Sequence, residues 1–158
     1  MKKTYVFAAL LTLITFGLGA QEAPPAIDTK LYDIVNDVSA DRIEADIRKL
    51  AGFGTRNTFS DTVSETRGIG AARRWIKAEF EKISNECGGC LEVFYQKDLV
   101  TTEMGRRIPK DAYIVNVVAV IRGTDYPESY VLMSGDIDSR ASNTMNYEID
   151  APGANDNA

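Results

Sequence analysis

The chain has 158 residues, room for one domain of ordinary size. Its 44% hydrophobic and 26% charged residues exclude wholesale disorder, and a formal charge of -5 excludes the basic face that general affinity for nucleic acid or anionic membrane requires. It contains no histidine, so these residues hold no Ser-His-Asp triad, no Cys-His pair and no imidazole metal ligand. Proton transfer or metal binding here falls to carboxylates, thiols, Lys or Tyr.

Residues 1–20 have the three-part layout of a secretory signal peptide. Lys2 and Lys3 open it, an apolar run covers 5–16, and small residues lead to cleavage after Ala20. The run is too short for a transmembrane helix, and no cysteine follows Ala20 to carry a lipid. A secreted or periplasmic protein is expected, with no membrane contact after cleavage. Residues 21–27, with Pro24 and Pro25, read as a flexible leader.

The next segments read as helices. Residues 29–38 suit a short one. Ser39 is placed to N-cap a second, with Asp41 in its first turn and Ile43, Ile47 and Leu50 in one buried stripe. Gly52 and Gly54 end it, and 55–62 is a polar loop. Thr62-Val63-Ser64-Glu65 resembles a capping box ahead of a long amphipathic helix over 66–86. Its apolar face is Ile69, Ala72, Ile76, Phe80 and Ile83, with Arg73 and Arg74 on the solvated side. Gly68-Ile69-Gly70 is not read as a nucleotide-binding turn, because no strand precedes it and the third glycine is missing. Cys87 and Cys90 follow the helix. In an oxidising compartment a local disulfide is expected, whereas a redox-active Cys-x-x-Cys opens a helix and zinc needs further soft ligands that the chain lacks.

Strands come next. Residues 91–96 alternate Leu91, Val93 and Tyr95 on one face. Residues 101–111 form a loop. Residues 113–121 are β-branched on both faces, as in a central strand covered on two sides. After a turn over 123–128, residues 130–133 suit a short buried strand. It runs into Ser134-Gly135-Asp136-Ile137-Asp138-Ser139-Arg140. Ligands of open α/β sheets bind beyond such carboxyl ends. Asp136 and Asp138 project on one side, and two adjacent carboxylates call for a cation, either a metal ion or Arg140. Asp156 lies in a turn rich in donors. Taken without context, the three acids also suit turn and helix caps or a structural calcium loop.

Five stretches together resemble the N-terminal part of the secreted di-zinc aminopeptidase family, which includes glutamate carboxypeptidases and glutaminyl cyclases. They are Gly54-Thr55-Arg56-Asn57-Thr58, residues 67–75, Asn116-Val117-Val118-Ala119, residues 134–140 and residues 151–158. The last two, at their mutual spacing, are the specific ones. The resemblance implies an α/β fold, a three-layer sandwich with a central mixed sheet flanked by helices. Residues 28–158 would make an incomplete N-terminal part of that catalytic domain, poorly folded and inactive alone. It implies a peptide substrate and two zinc ions, with a water activated by the metals and a glutamate base. Asp136 matches a zinc ligand, Asp138 the acid that orients that ligand, and Asp156 the aspartate bridging the two metals. Asp136 stands where the family has histidine, which predicts weaker zinc binding or a shift toward harder ions such as manganese. The remaining ligands and the base are expected downstream of Ala158. Beside the aminopeptidase stand two alternatives, a non-catalytic binding module with a degraded metal site and a glutaminyl-cyclase-like acyltransferase.

Overall fold

The computed structural model describes residues 28–153. The expected signal peptide, the leader and Asp156 lie outside the described residues. The chain divides into two compact units, Met1–Val38 and Ser39–Ala158.

In the first unit, helix α1 spans Thr29–Asn36. Asp28 caps it by accepting from Lys30 N at 3.0 Å. The helix stops two residues earlier than the sequence predicts. The Asp37 N–H closes its last turn onto Asp33 O at 3.0 Å. Leu31, Ile34 and Val35 are each more than half exposed.

The second unit begins at the cap of α2, Ala40–Ala51, where Ser39 Oγ accepts from Arg42 N at 3.2 Å. Asp41 sits in the first turn, and Arg48 and Lys49 in the last, each on the favourable side of the helix dipole. The expected apolar stripe is buried only toward its C-terminal end. Leu50 is 5% exposed, whereas Ile43 is 49% exposed. Leu50 and Phe53 pack on Ala71 and Ala72 of α3, Gly68–Glu86, with Ile47, Trp75 and Ile76 at the rim. The Phe53 and Trp75 rings lie 6.3 Å apart at 52°. Burying Leu50 or Phe53 contributes roughly 1.5–3 kcal/mol each.

The start of α3 differs from the expected capping box. Arg67 is the N-cap residue and provides no side-chain cap. Asp61 instead orders the preceding turn, accepting from Val63 N at 2.6 Å and Ser64 N at 2.9 Å. The first amides of α3 are taken by Phe53 O, Ser60 Oγ and Asp61 O. Gly68 has φ +81°, and a Cβ there or at Gly70 would strike the backbone of Asp61 or Thr62. The glycines thus serve close packing, and no amide of this turn is left for a phosphate. Arg73 is 7% exposed and so is not on a solvated face. Arg74 is half-buried and reaches back to the Thr62 carbonyl at 2.9 Å. Cys87, which ends α3, is bonded to Cys90, with Cα atoms 5.6 Å apart.

Strands β1, Glu92–Val100, and β2, Ala112–Val120, pair antiparallel from Glu92↔Val120 to Val100↔Ala112. Leu91, Val93 and Tyr95 are the less exposed residues, as their alternation predicts. β1 runs four residues further than its hydrophobic pattern, because Lys97 to Val100 pair with the start of β2. Helix α3 packs against both strands.

Residues 130–133 form no strand, a correction to the sequence reading. Tyr130, Val131, Leu132 and Met133 are 78–95% exposed. β-propensity expresses packing against neighbours, and no described segment pairs with this one. For the same reason β2 is half-buried at most rather than covered on two sides. Among the described residues no helix is long and apolar enough to cross a membrane.

Candidate functional site

The acid-bearing segment is held from below by Arg56. Its side chain is fully buried. The guanidinium donates from Nε to Ile137 O at 2.8 Å, from Nη1 to Leu50 O at 2.8 Å and Pro152 O at 3.1 Å, and from Nη2 to Gly153 O. The Arg56 backbone N–H donates to Ser139 Oγ at 2.9 Å. One residue thus joins the end of α2, the 137–139 segment and the 152–153 segment. Five planar donors in a fixed fork suit this task, and a point-like ammonium does not. Burial lowers the Arg56 pKa from its ordinary value, and the negative charge of Asp138 opposes that shift.

Adjacent contacts fix the same frame. Thr55 and Ala151 form a parallel bridge, with Ala151 N donating to Gly54 O at 2.9 Å. Arg67 pairs with Asp150 at 2.5 Å and donates to Glu148 O at 2.9 Å. Asn57 Oδ1 accepts from Phe59 N at 2.9 Å, and the Asn57 carbonyl accepts from Ser60 Oγ at 2.6 Å.

Asp136 and Asp138 flank the anchored Ile137. With Ser139, Arg140, Thr144 and Gly153 they line an open cleft of about 460 Å³. Asp136 is exposed and Asp138 half-buried. Among the described residues, neither carboxylate accepts a hydrogen bond or lies within 4 Å of a cationic side chain, so Arg140 forms no ion pair with them. Among the described residues neither acid caps a turn. Carboxylate oxygens without a partner among the described residues are a donor chemistry that fits a divalent cation. Among the described residues no three His, Cys, Asp or Glu side chains converge to complete such a site.

Sequence reasoning placed Asp136 and Asp138 in one loop, and the structure brings them to one cleft. It missed Arg56, Arg67 and Ser139 as the residues that position this loop. Arg56 lies inside the Gly54-Thr55-Arg56-Asn57-Thr58 match, but apart from Leu50 its side-chain partners are 81 to 97 residues away, and no local pattern encodes those.

Comparison with known proteins gives consistent names. The chain is 44% identical over 134 residues to a probable zinc metalloprotease of Leptosphaeria maculans, covering 85% of this chain and 31% of that protein. It is 43% identical over 141 residues to a probable zinc metalloprotease of Pyrenophora teres f. teres, covering 89% of this chain and 29% of that one. A probable zinc metalloprotease of Pyricularia oryzae is 43% identical over 131 residues, covering 83% and 26%. The chain thus spans less than a third of the length of these curated relatives. No protein-family model matches it, and no solved structure matches it.

Proposed function

We propose that this chain is the N-terminal part of a secreted zinc-dependent exopeptidase, an aminopeptidase that hydrolyses N-terminal peptide bonds. The observation that carries the reading is the Asp136–Asp138 cleft, whose two carboxylates stand on a loop pinned by a buried arginine. The names of the relatives support zinc and peptide-bond hydrolysis. The order of motifs along the chain supports the aminopeptidase mode and the three-layer fold.

In this reading Asp136 and Asp156 would supply carboxylate oxygens to hold zinc. Bound there, zinc would polarise the scissile carbonyl and acidify water. Asp138, one residue beyond the anchored Ile137, matches the acid that orients a histidine ligand, and with a carboxylate at position 136 it has no N–H there to accept from. Arg56 keeps both carboxylates on the cleft by fixing the Ile137 carbonyl and, through its own N–H, Ser139. Asp136 in place of histidine favours a weaker zinc site.

The test is a comparison of peptides with free and acetylated amino termini, given to the protein expressed from its whole gene. An aminopeptidase releases the first residue only from the free peptides. Internal cleavage, or equal turnover of both forms, would sink the exopeptidase assignment. Absence of any turnover, together with absence of bound metal, would leave the non-catalytic binding module as the better reading.

A further inference from the structure

A second cleft, of about 890 Å³, opens between α3, the 58–62 loop and the β1–β2 ribbon. Its charged lining includes Arg73, Lys97 and Lys110, and Tyr95 and Tyr113 form aromatic walls. Arg73 is 93% buried by its 7% exposure, yet its Nε has no hydrogen-bond partner. No described carboxylate lies within 4 Å of its guanidinium. A buried N–H without an acceptor, on a cation without a counter-charge, is costly and marks an unfinished polar site.

The neighbours do not finish it. Arg74 spends Nη1 and Nη2 on the carbonyls of Thr62, Val63 and Ser64, and its Nε, buried without a hydrogen bond, lies 3.7 Å from the Glu65 carboxylate, a counter-charge that Arg73 lacks. Asp111, the acid in the cleft lining, accepts from Thr102 N at 2.9 Å and pairs with none of the cations. Lys97 stands 5.9 Å over the Tyr95 ring and Lys110 4.4 Å over the Tyr147 ring, both with exposed ammonium-bearing side chains. The Tyr95 hydroxyl donates to the Arg73 carbonyl at 3.4 Å, tying the aromatic wall to the arginine's own turn. Burial lowers the Arg73 pKa from its ordinary value, with Tyr95 opposing, as a desolvated and unpaired cation requires.

The volume falls in the range of small organic ligands, roughly 300–1,000 Å³, and exceeds what a bare ion fills. A single guanidinium edge matches a planar carboxylate. We propose that this cleft binds a small organic carboxylate with an aromatic or apolar body, Arg73 taking the carboxylate and the tyrosine walls its body. Lys97 and Lys110 raise the local positive potential without touching the ligand.

The test is calorimetric titration of the protein expressed from its whole gene, stripped of metal by a chelator so that the acidic cleft does not contribute. N-acetylphenylalanine, its primary amide and inorganic phosphate are the probes. The expected result is binding of the acid at least about tenfold tighter than the amide or phosphate, lost by about tenfold or more in Arg73→Gln. The exposed pair Lys97→Ala with Lys110→Ala should weaken it about threefold and flatten its salt dependence. Equal binding of acid and amide, tighter binding of phosphate, no binding, or acid binding that survives Arg73→Gln overturns the proposal. If Arg73→Gln does not fold, unchanged affinity and salt dependence in the lysine pair overturn it instead.

Discussion

Arg56 is the residue on which the acidic cleft depends. Truncation to Ala would leave the carbonyls of Leu50, Ile137, Pro152 and Gly153 without this donor and open a void beneath the 137–139 segment. We predict a loss of about 3–5 kcal/mol in urea unfolding for Arg56→Ala, the range for breaking a buried charged network. Arg56→Lys should recover only a minor part, because an ammonium cannot reproduce the fork. A loss under about 1 kcal/mol for the alanine variant would show that the carbonyls find other partners. At Asp136 the prediction concerns the metal. Asp136→His should bind zinc more tightly in competition with a chromophoric chelator, since imidazole removes a negative charge and gives Asp138 a group to orient. A parent that already holds zinc as tightly as the histidine variant would contradict this. The acids themselves were legible as a motif, but their anchor was not. Arg56 looks like any loop arginine until chain segments far from it in sequence are folded onto it.

Among the elements, the start of α3 is the most constrained. Gly70→Ala would drive a Cβ into the Thr62 backbone. We predict about 2 kcal/mol or more of destabilisation, because neither backbone can yield without shifting the turn. A melting temperature within a degree of the parent would refute that contact. Asp61 adds a pH signature. The N–H groups of Ser64 and Val63 hold its carboxyl below the ordinary value of 3.8. A depressed folded-state pKa gives stability that is complete above the unfolded value and lost as pH falls through the folded one. The turn should therefore keep its full stability at neutral pH and lose the Asp61 contribution below about pH 4. Asp61→Asn should flatten that acid limb, and an unchanged acid limb would show that Asp61 contributes nothing. Periodicity made α2, α3, β1 and β2 legible, and Ser39 was legible as a cap because its N-cap bond is local. The order at the start of α3 was not, since a capping box over 62–65 and an Asp61-centred turn use the same polar residues. Residues 130–133 failed for another reason. Their β-branched and aromatic pattern states a preference for a pleated surface, and a preference needs a neighbour to act on.

For the whole molecule, the open cleft at residues 136–153 and the likeness to probable zinc metalloproteases point the same way. The absence of histidine left metal binding to carboxylates, and the proposed function assigns that role to Asp136 on its fixed loop. The proposed fold places further strands beside β2 and further ligands beside Asp136, a region corresponding to the larger part of each relative's length. The most direct measurement is the metal content and peptide turnover of one sample of the protein expressed from its whole gene. Both are read before chelation, after chelation and after zinc is returned. The proposed function predicts bound zinc, loss of turnover with its removal and recovery on its return. Turnover that survives complete removal of metal would contradict it.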